Sequence, residues 1–158
     1  MEKSESPSAR PCGICAGIQR IRGGHVDNLI AELEHCYVVL GDSQLYRGYC
    51  IALAKRHFTE LHLMPPVEAR ALFDELMLVG SAVFSVVKPG KLNYECLGNL
   101  EPHVHWHVFP RQSTDKDPAA PVWRYPETLE RHELDSRDKA DLIRTLQAEI
   151  KRLAAARR

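Results

Sequence analysis

Apolar residues along this chain repeat with two different periods, and the change from one to the other divides it into elements. Between Asn28 and His57 the apolar runs are short: Leu29 to Leu33, Cys36 to Leu40 and Tyr46 to Ala54, with Gly41-Asp42-Ser43 as a turn between the last two. Runs of that length bounded by turn residues predict strands in an antiparallel meander. After Pro65-Pro66 the period lengthens. Ala71, Leu72, Leu76, Val79, Val83 and Val87 fall at helical spacing, which predicts a helix from Val67 to Val87, stopped by Pro89-Gly90. Lys91 to Leu97 and His103 to Phe109 return to the strand pattern, joined by Gly98 to Pro102. Leu142, Ile143, Leu146, Ile150 and Leu153 mark a second amphipathic helix over Asp135 to Arg158. The pattern predicts an α+β fold: an antiparallel sheet of about five strands, a central helix packed on it and a C-terminal helix.

Residues 1–11 are polar, with Ser and Pro prominent, and predict a flexible tail. One main domain is expected over 12–125, its last stretch a Pro-, Asp- and Ala-rich loop anchored by Val122-Trp123, followed by a C-terminal helical extension over 126–158. At 158 residues the chain can bury a core without disulfide staples.

Charge narrows the partners. Twenty-one Lys plus Arg balance twenty-one Asp plus Glu, so no broad field is available to hold a nucleic-acid polymer or an anionic membrane. A nucleic-acid-like ligand would have to be small and held locally. No apolar run approaches the roughly 20 residues that span a bilayer, and the first residues carry no secretion-type apolar segment, so a cytoplasmic protein is expected. The five cysteines are an odd set and not a disulfide framework; Cys36, Cys50 and Cys96 lie in or beside apolar stretches and read as small buried hydrophobes. Cys12-Gly-Ile-Cys15 differs, because that spacing lets both sulfurs reach one zinc ion. A redox pair would instead open a helix after a strand, and here a polar tail comes before.

The most informative segment is His103-Val104-His105-Trp106-His107-Val108-Phe109. Alternation on a strand places His103, His105 and His107 on one face and Val104, Trp106 and Val108 on the other. A row of imidazoles is costly as mere packing, since each ring brings a polar nitrogen that must be satisfied. Two chemistries suit it. A His-x-His pair can bind a water-activating metal, or one neutral imidazole can itself be a nucleophile, its other nitrogen held by a hydrogen bond that fixes the tautomer.

That segment, with Pro110-Arg111 after it, resembles the histidine-triad (HIT) family, and the likeness extends from about Cys12 to Trp123 through Asp42 to Gly48, Lys55-Arg56-His57, the helix from Val67, and Asn93. Glu-Pro-His-Val-His-Trp-His is most similar to the bacterial branch related to diadenosine polyphosphate hydrolases. The resemblance implies a nucleotide hydrolase or transferase. His105 would attack the α-phosphorus of a nucleoside phosphoanhydride or phosphoramidate and become transiently nucleotidylated, while His107 hydrogen-bonds near the phosphate oxygens. Asn93 and Asn99 become candidate ligands for ribose and phosphate, Arg111 the preferred phosphate-neutralising cation ahead of Arg47, Lys55 and Arg56, and a homodimer is expected. Zinc-bearing members of the superfamily supply two histidines at positions matching His57 and His103, which with Cys12 and Cys15 would close a structural Zn2+ site; His25 is a weaker candidate. His35, His62 and His132 read as surface histidines. One departure stands out: Leu100 occupies the position where many members have a hydroxyl residue, and Glu101, beside it, is expected to face away from a phosphate or to orient a histidine. Two alternatives stay open: a zinc-dependent hydrolase that uses the His-x-His pair as ligands, and a nucleotide-binding module without catalysis.

Overall fold

The computed structural model describes residues 11–124 and 131–157. All of the expected tail except Pro11, the boundary at 125 and 126, and the last residue of the chain lie outside the described residues. Five antiparallel strands, β1 (Leu29–Glu32), β2 (Cys36–Leu40), β3 (Cys50–Ala54), β4 (Lys91–Glu95) and β5 (His105–Arg111), form one sheet in the order β1-β2-β3-β5-β4. Helices α1 (Gly13–Arg22), α2 (Pro66–Val87) and α3 (Ser136–Ala156) complete it.

The two sheet faces follow from side-chain alternation. Cys50, Ala52 and Ala54 of β3 join Val38 of β2 and Val108 of β5 in the main core, beneath Leu72, Leu76, Val79 and Val83 of α2. Leu142, Ile143, Leu146 and Ile150 of α3 enter the same cluster, and α3 packs across α2 and β1. The opposite face carries Tyr37, Val39 and Leu53 against Ile18 and Ile21 of α1. Since α1 covers only part of that face, the rest is open for a site. All five residues of β2 are buried, which explains why its sequence is a continuous apolar run rather than an alternating one.

The ends of the long helices follow their sequence signals. Pro66 begins α2, and Lys88 ends it in a left-handed conformation, φ 53°, just ahead of Pro89-Gly90. The Asp135 side chain caps α3 by accepting from the Arg137 and Asp138 backbone N–H groups.

Three sequence expectations change. The α1 helix was not foreseen, although Ile14, Ile18 and Ile21 stand at helical spacing in it. The strand expected from Tyr46 begins at Cys50, because Gln44 captures the preceding chain: its side chain donates to the Gly41 and Tyr49 carbonyls and accepts from Gly48 N–H. Gly48 lies at φ 89°, where a side chain is strained, and a Cβ on Gly41 would fall 2.2 Å from the Tyr49 ring. Finally, β5 starts at His105 and runs on through Pro110 and Arg111, so His103 precedes the strand, in a bend where its N–H donates to the Glu101 carbonyl.

Candidate functional site

His103 is held on both sides. Val104 N–H donates to the Phe58 carbonyl and Ala54 N–H to the Val104 carbonyl, bringing the end of β3 alongside the start of β5 and His57 within reach of His103. From the other direction α1 places its first turn there: Cys12 caps the helix, and Gly13 N–H donates to Glu101 Oε2 at 2.8 Å. Glu101 therefore serves the N-terminus of α1. Leu100 is 94% exposed.

Four ligand-type atoms converge at this junction: Cys12 Sγ, Cys15 Sγ, His57 Nδ1 and His103 Nδ1, all within 4.8 Å of one another. The two Nδ1 atoms are 3.2 Å apart, Cys15 Sγ lies 3.3 Å from His57 Nδ1 and 3.5 Å from His103 Nδ1, and Cys12 Sγ lies 3.5 Å from His103 Nδ1. Sulfur and nitrogen bound tetrahedrally to zinc at about 2.3 and 2.0 Å give ligand-ligand edges of about 3.3 to 3.8 Å, so the donor set fits that ion. His103 Nε2 donates to the Ala54 carbonyl at 2.8 Å, which leaves the Nδ1 lone pair facing the cluster, as a metal-binding imidazole requires. Burial lowers the pKa of His103 and keeps its ring neutral, while burial followed by the nearby Cys12 raises that of the Cys15 thiol. A cation between the sulfurs would reverse that second effect. Among the described residues no other group of His, Cys, Asp and Glu converges in this way, and His25, exposed, takes no part.

His105 uses the opposite nitrogen. Its Nδ1 lies 2.6 Å from the His103 carbonyl, which can only accept, so Nδ1 carries the proton and Nε2 the lone pair. The residue is 8% exposed, yet no buried side-chain nitrogen or oxygen among the described residues lacks a partner; Nε2, having none, is therefore in contact with solvent. His107 follows on the same face, its Nδ1 2.7 Å from the Tyr49 hydroxyl and its ring nearly parallel to those of Tyr49 and Phe109, beside the stack those two form at 4.0 Å. Burial, followed by the neighbouring His105, pushes its pKa down to about 4, and burial pushes the Tyr49 phenol up. Trp123 stands edge-on to both His107 and Phe109.

Next to these rings is a cleft of about 750 Å3. Leu53 and Ile51, opposite His105 and His107 in strand register, line it together with Tyr49, Phe109 and Trp123, and it continues over Val39 to Asn28 and Asp42. Its apolar floor and polar rim suit a flat ring joined to a polar group. Two of its residues, Arg20 and Arg131, had no signal in the sequence, since single arginines outside any motif read as surface charges.

The sequence-selected cations lie elsewhere. Arg111 is 3% exposed, with its guanidinium fully engaged: Nε on Asp115, Nη1 on Asn93 Oδ1 and the Ala120 carbonyl, Nη2 on the Asp117 carbonyl. Arg111 and Asn93 thus fasten the loop that carries Trp123. Lys55 pairs with Glu32 and Arg56 with Glu68, and Arg47 is exposed. Asn99 is exposed in the turn before His103. His35 is tied to Glu75 through both its backbone N–H and its ring. Cys36 and Cys50 are fully buried, as expected, while Cys96 is half-buried.

A family model described as the HIT domain matches residues 23–114. No curated protein matches the chain. Among solved structures, a histidine triad protein from Bradyrhizobium japonicum is similar at 25% identity and TM-score 0.71, over 82% of this chain and 94% of its own. A Zn-bound histidine triad family protein from Mycobacterium smegmatis superposes with TM-score 0.67 at 21% identity, over 92% of this chain and 97% of that one. A hypothetical histidine triad nucleotide-binding protein from Sulfolobus tokodaii gives TM-score 0.67 at 18% identity, over 87% and 93%.

Proposed function

This chain belongs to the histidine-triad family, and from that premise we propose that it is a nucleotidyl hydrolase or transferase with His105 as nucleophile. The observation that carries the reading is the hydrogen bond from His105 Nδ1 to the His103 carbonyl, which leaves the lone pair on Nε2, in contact with solvent. Nε2 attacks the α-phosphorus of a nucleoside phosphoanhydride or phosphoramidate. The bond to the leaving group breaks, that group departs with its electron pair, and water then cleaves the nucleotidyl-imidazole. Tyr49, kept protonated by burial, donates to His107 Nδ1, so His107 Nε2 carries a proton to donate to a phosphate oxygen. The nucleoside lies in the cleft over β3 and β2, and Asn99 in its exposed turn contacts the phosphate. Arg111 and Asn93 act as supports.

Cys12, Cys15, His57 and His103 hold a structural zinc ion. With all four positions taken by protein it supplies rigidity, tying α1 to the start of the triad. The open-site zinc hydrolase is disfavoured by the rings themselves: His103 offers Nδ1 to the cysteines, whereas the Nδ1 of His105 is spent on a carbonyl. Reduced thiols and a thiolate metal site suit the cytoplasm, a placement that recovery of the protein outside the cell membrane would refute.

We further read the protein as a homodimer. Strand β4 is an edge of the sheet, and beside it Tyr94, Leu97, Phe73 and Phe84 are exposed. Light scattering after size exclusion should give twice the chain mass; a monomer at micromolar concentration would reject this.

The central test is mass spectrometry of wild type and His105→Ala after brief exposure to nucleotide conjugates. Wild type should carry a nucleotidyl adduct on His105. The variant should carry none and lose about a thousandfold or more in turnover. An adduct that persists in the variant moves the nucleophile elsewhere.

A further inference from the structure

Glu95 has no part in the chemistry above, yet strand register sets it directly opposite His107. Directly opposed residues of an antiparallel pair share a sheet face, with Cβ atoms about 5 Å apart. Glu95 is half-buried, and its Oε2 accepts from the indole N–H of Trp123, the ring that stands edge-on to His107 at 5.5 Å. Burial raises its carboxyl above the usual value, while the Trp123 N–H and the charge of Arg111 pull the other way. A carboxyl group is thus clamped beside the reacting histidines.

The order of strands decides what it meets. The cleft that would take the nucleoside spreads over β3 and β2 toward Asn28, the histidines stand on β5, and Glu95 is on β4, beyond them. A conjugate with its phosphorus at β5 and its nucleoside toward β2 runs its remaining substituent toward β4, past Trp123 and Glu95. Cations that could welcome a polyphosphate there are committed: Arg111 gives its donors to Asp115, Asn93 and two carbonyls, and Arg124 lies 3.8 Å from Asp117. Arg20 and Arg131 are on the far side, the first on α1 over β2 and β3, the second paired with Asp42.

We propose that Glu95, held by Trp123, determines leaving-group specificity, favouring conjugates whose leaving side is an amine or bears positive charge over those whose leaving side is a second anionic nucleotide. This rests on the nucleotidyl reading of the site and chooses within it. During transfer the His105 Nε2–P bond forms as the P–N bond breaks; the amine leaves with that electron pair, takes a proton from solvent and departs as an ammonium beside the carboxylate. A phosphate in the same place meets like charge.

The test separates binding from turnover. In the His105→Ala background, titration calorimetry compares the 2-aminoethyl ester of AMP with ADP. The ester should bind about tenfold more tightly, the preference should shrink as salt rises from 50 to 500 mM on the order expected for screening, and Glu95→Gln, which keeps an acceptor for the indole, should bring it to within about twofold. In the otherwise wild-type protein, Glu95→Gln should lower kcat/KM for an amine-linked AMP phosphoramidate about tenfold while leaving that for diadenosine tetraphosphate unchanged or higher. Equal affinities for the two ligands, or a preference that survives Glu95→Gln, overturns the inference and spares the nucleotidyl reading. Failure of both ligands to bind overturns the two together. Should Glu95→Gln not fold, which its thermal melt reveals, the salt dependence decides: a preference insensitive to salt rejects the role of Glu95.

Discussion

His103 and His105 are two residues apart and present opposite nitrogens to their surroundings. His103 gives Nε2–H to the Ala54 carbonyl and turns its Nδ1 lone pair to Cys15 and His57; His105 gives Nδ1–H to the His103 carbonyl and keeps its lone pair on Nε2. The first ring is 1% exposed, and the second retains a contact with solvent. Identical side chains present different lone pairs because of the carbonyl each one faces. A backbone acceptor fixes the tautomer, and the tautomer decides which lone pair is available. The two roles are also mechanically joined, because the carbonyl that orients His105 belongs to His103.

That join gives the comparison its sharpest tests. Stripping metal with a strong chelator, or substituting Cys15→Ser, should produce the largest loss in stability: about 4 kcal/mol when free zinc had been a thousandfold above its dissociation constant. Denaturant melts with and without equimolar zinc measure it. His105→Ala should leave that zinc effect intact while abolishing the adduct. A melt indifferent to zinc would reduce the cluster to four uncommitted side chains and dissolve the contrast.

A smaller effect comes from His107, whose buried ring is neutral in the folded protein with a pKa near 4, against an ordinary 6.5. The unfolded chain takes up the proton first as pH falls. The stability His107 contributes is therefore complete above about pH 6.5 and lost between there and about pH 4. Melting temperatures of the zinc-loaded protein should fall across that window, and less steeply in His107→Gln. Equal slopes would mean that the ring is hydrated, and the stack with Tyr49 and Phe109 looser than its geometry.

The triad was legible because alternation on a strand is a local rule: His105, His107 and Phe109 had to share a face once the strand formed. The Cys-x-x-Cys spacing was equally local. What lay around them was not. Ile14, Ile18 and Ile21 carried a helical period, but Gly13 and Gly17 dilute it, and α1 is secured by contacts distant in sequence, Glu101 on its first N–H and Tyr37 and Val39 under its apolar side. Arg111 looked like a phosphate ligand because it ends the triad strand; partners from Asn93 to Ala120 make it a fastener instead. Glu95 gave no signal at all, for its meaning comes only from standing across from His107.

By itself the sequence determined the strands, the two long helices, the row of imidazoles and the family, all of which rest on residue types and spacings of seven or fewer positions or on their order along the chain. Only the tertiary structure decided which nitrogen each histidine offers, which arginines reach the cleft and which carboxylate stands across from His107. Those depend on backbone carbonyls and side chains brought together from as far apart as Cys12 and His103, and a hydrogen bond across that distance leaves no periodic trace in either segment.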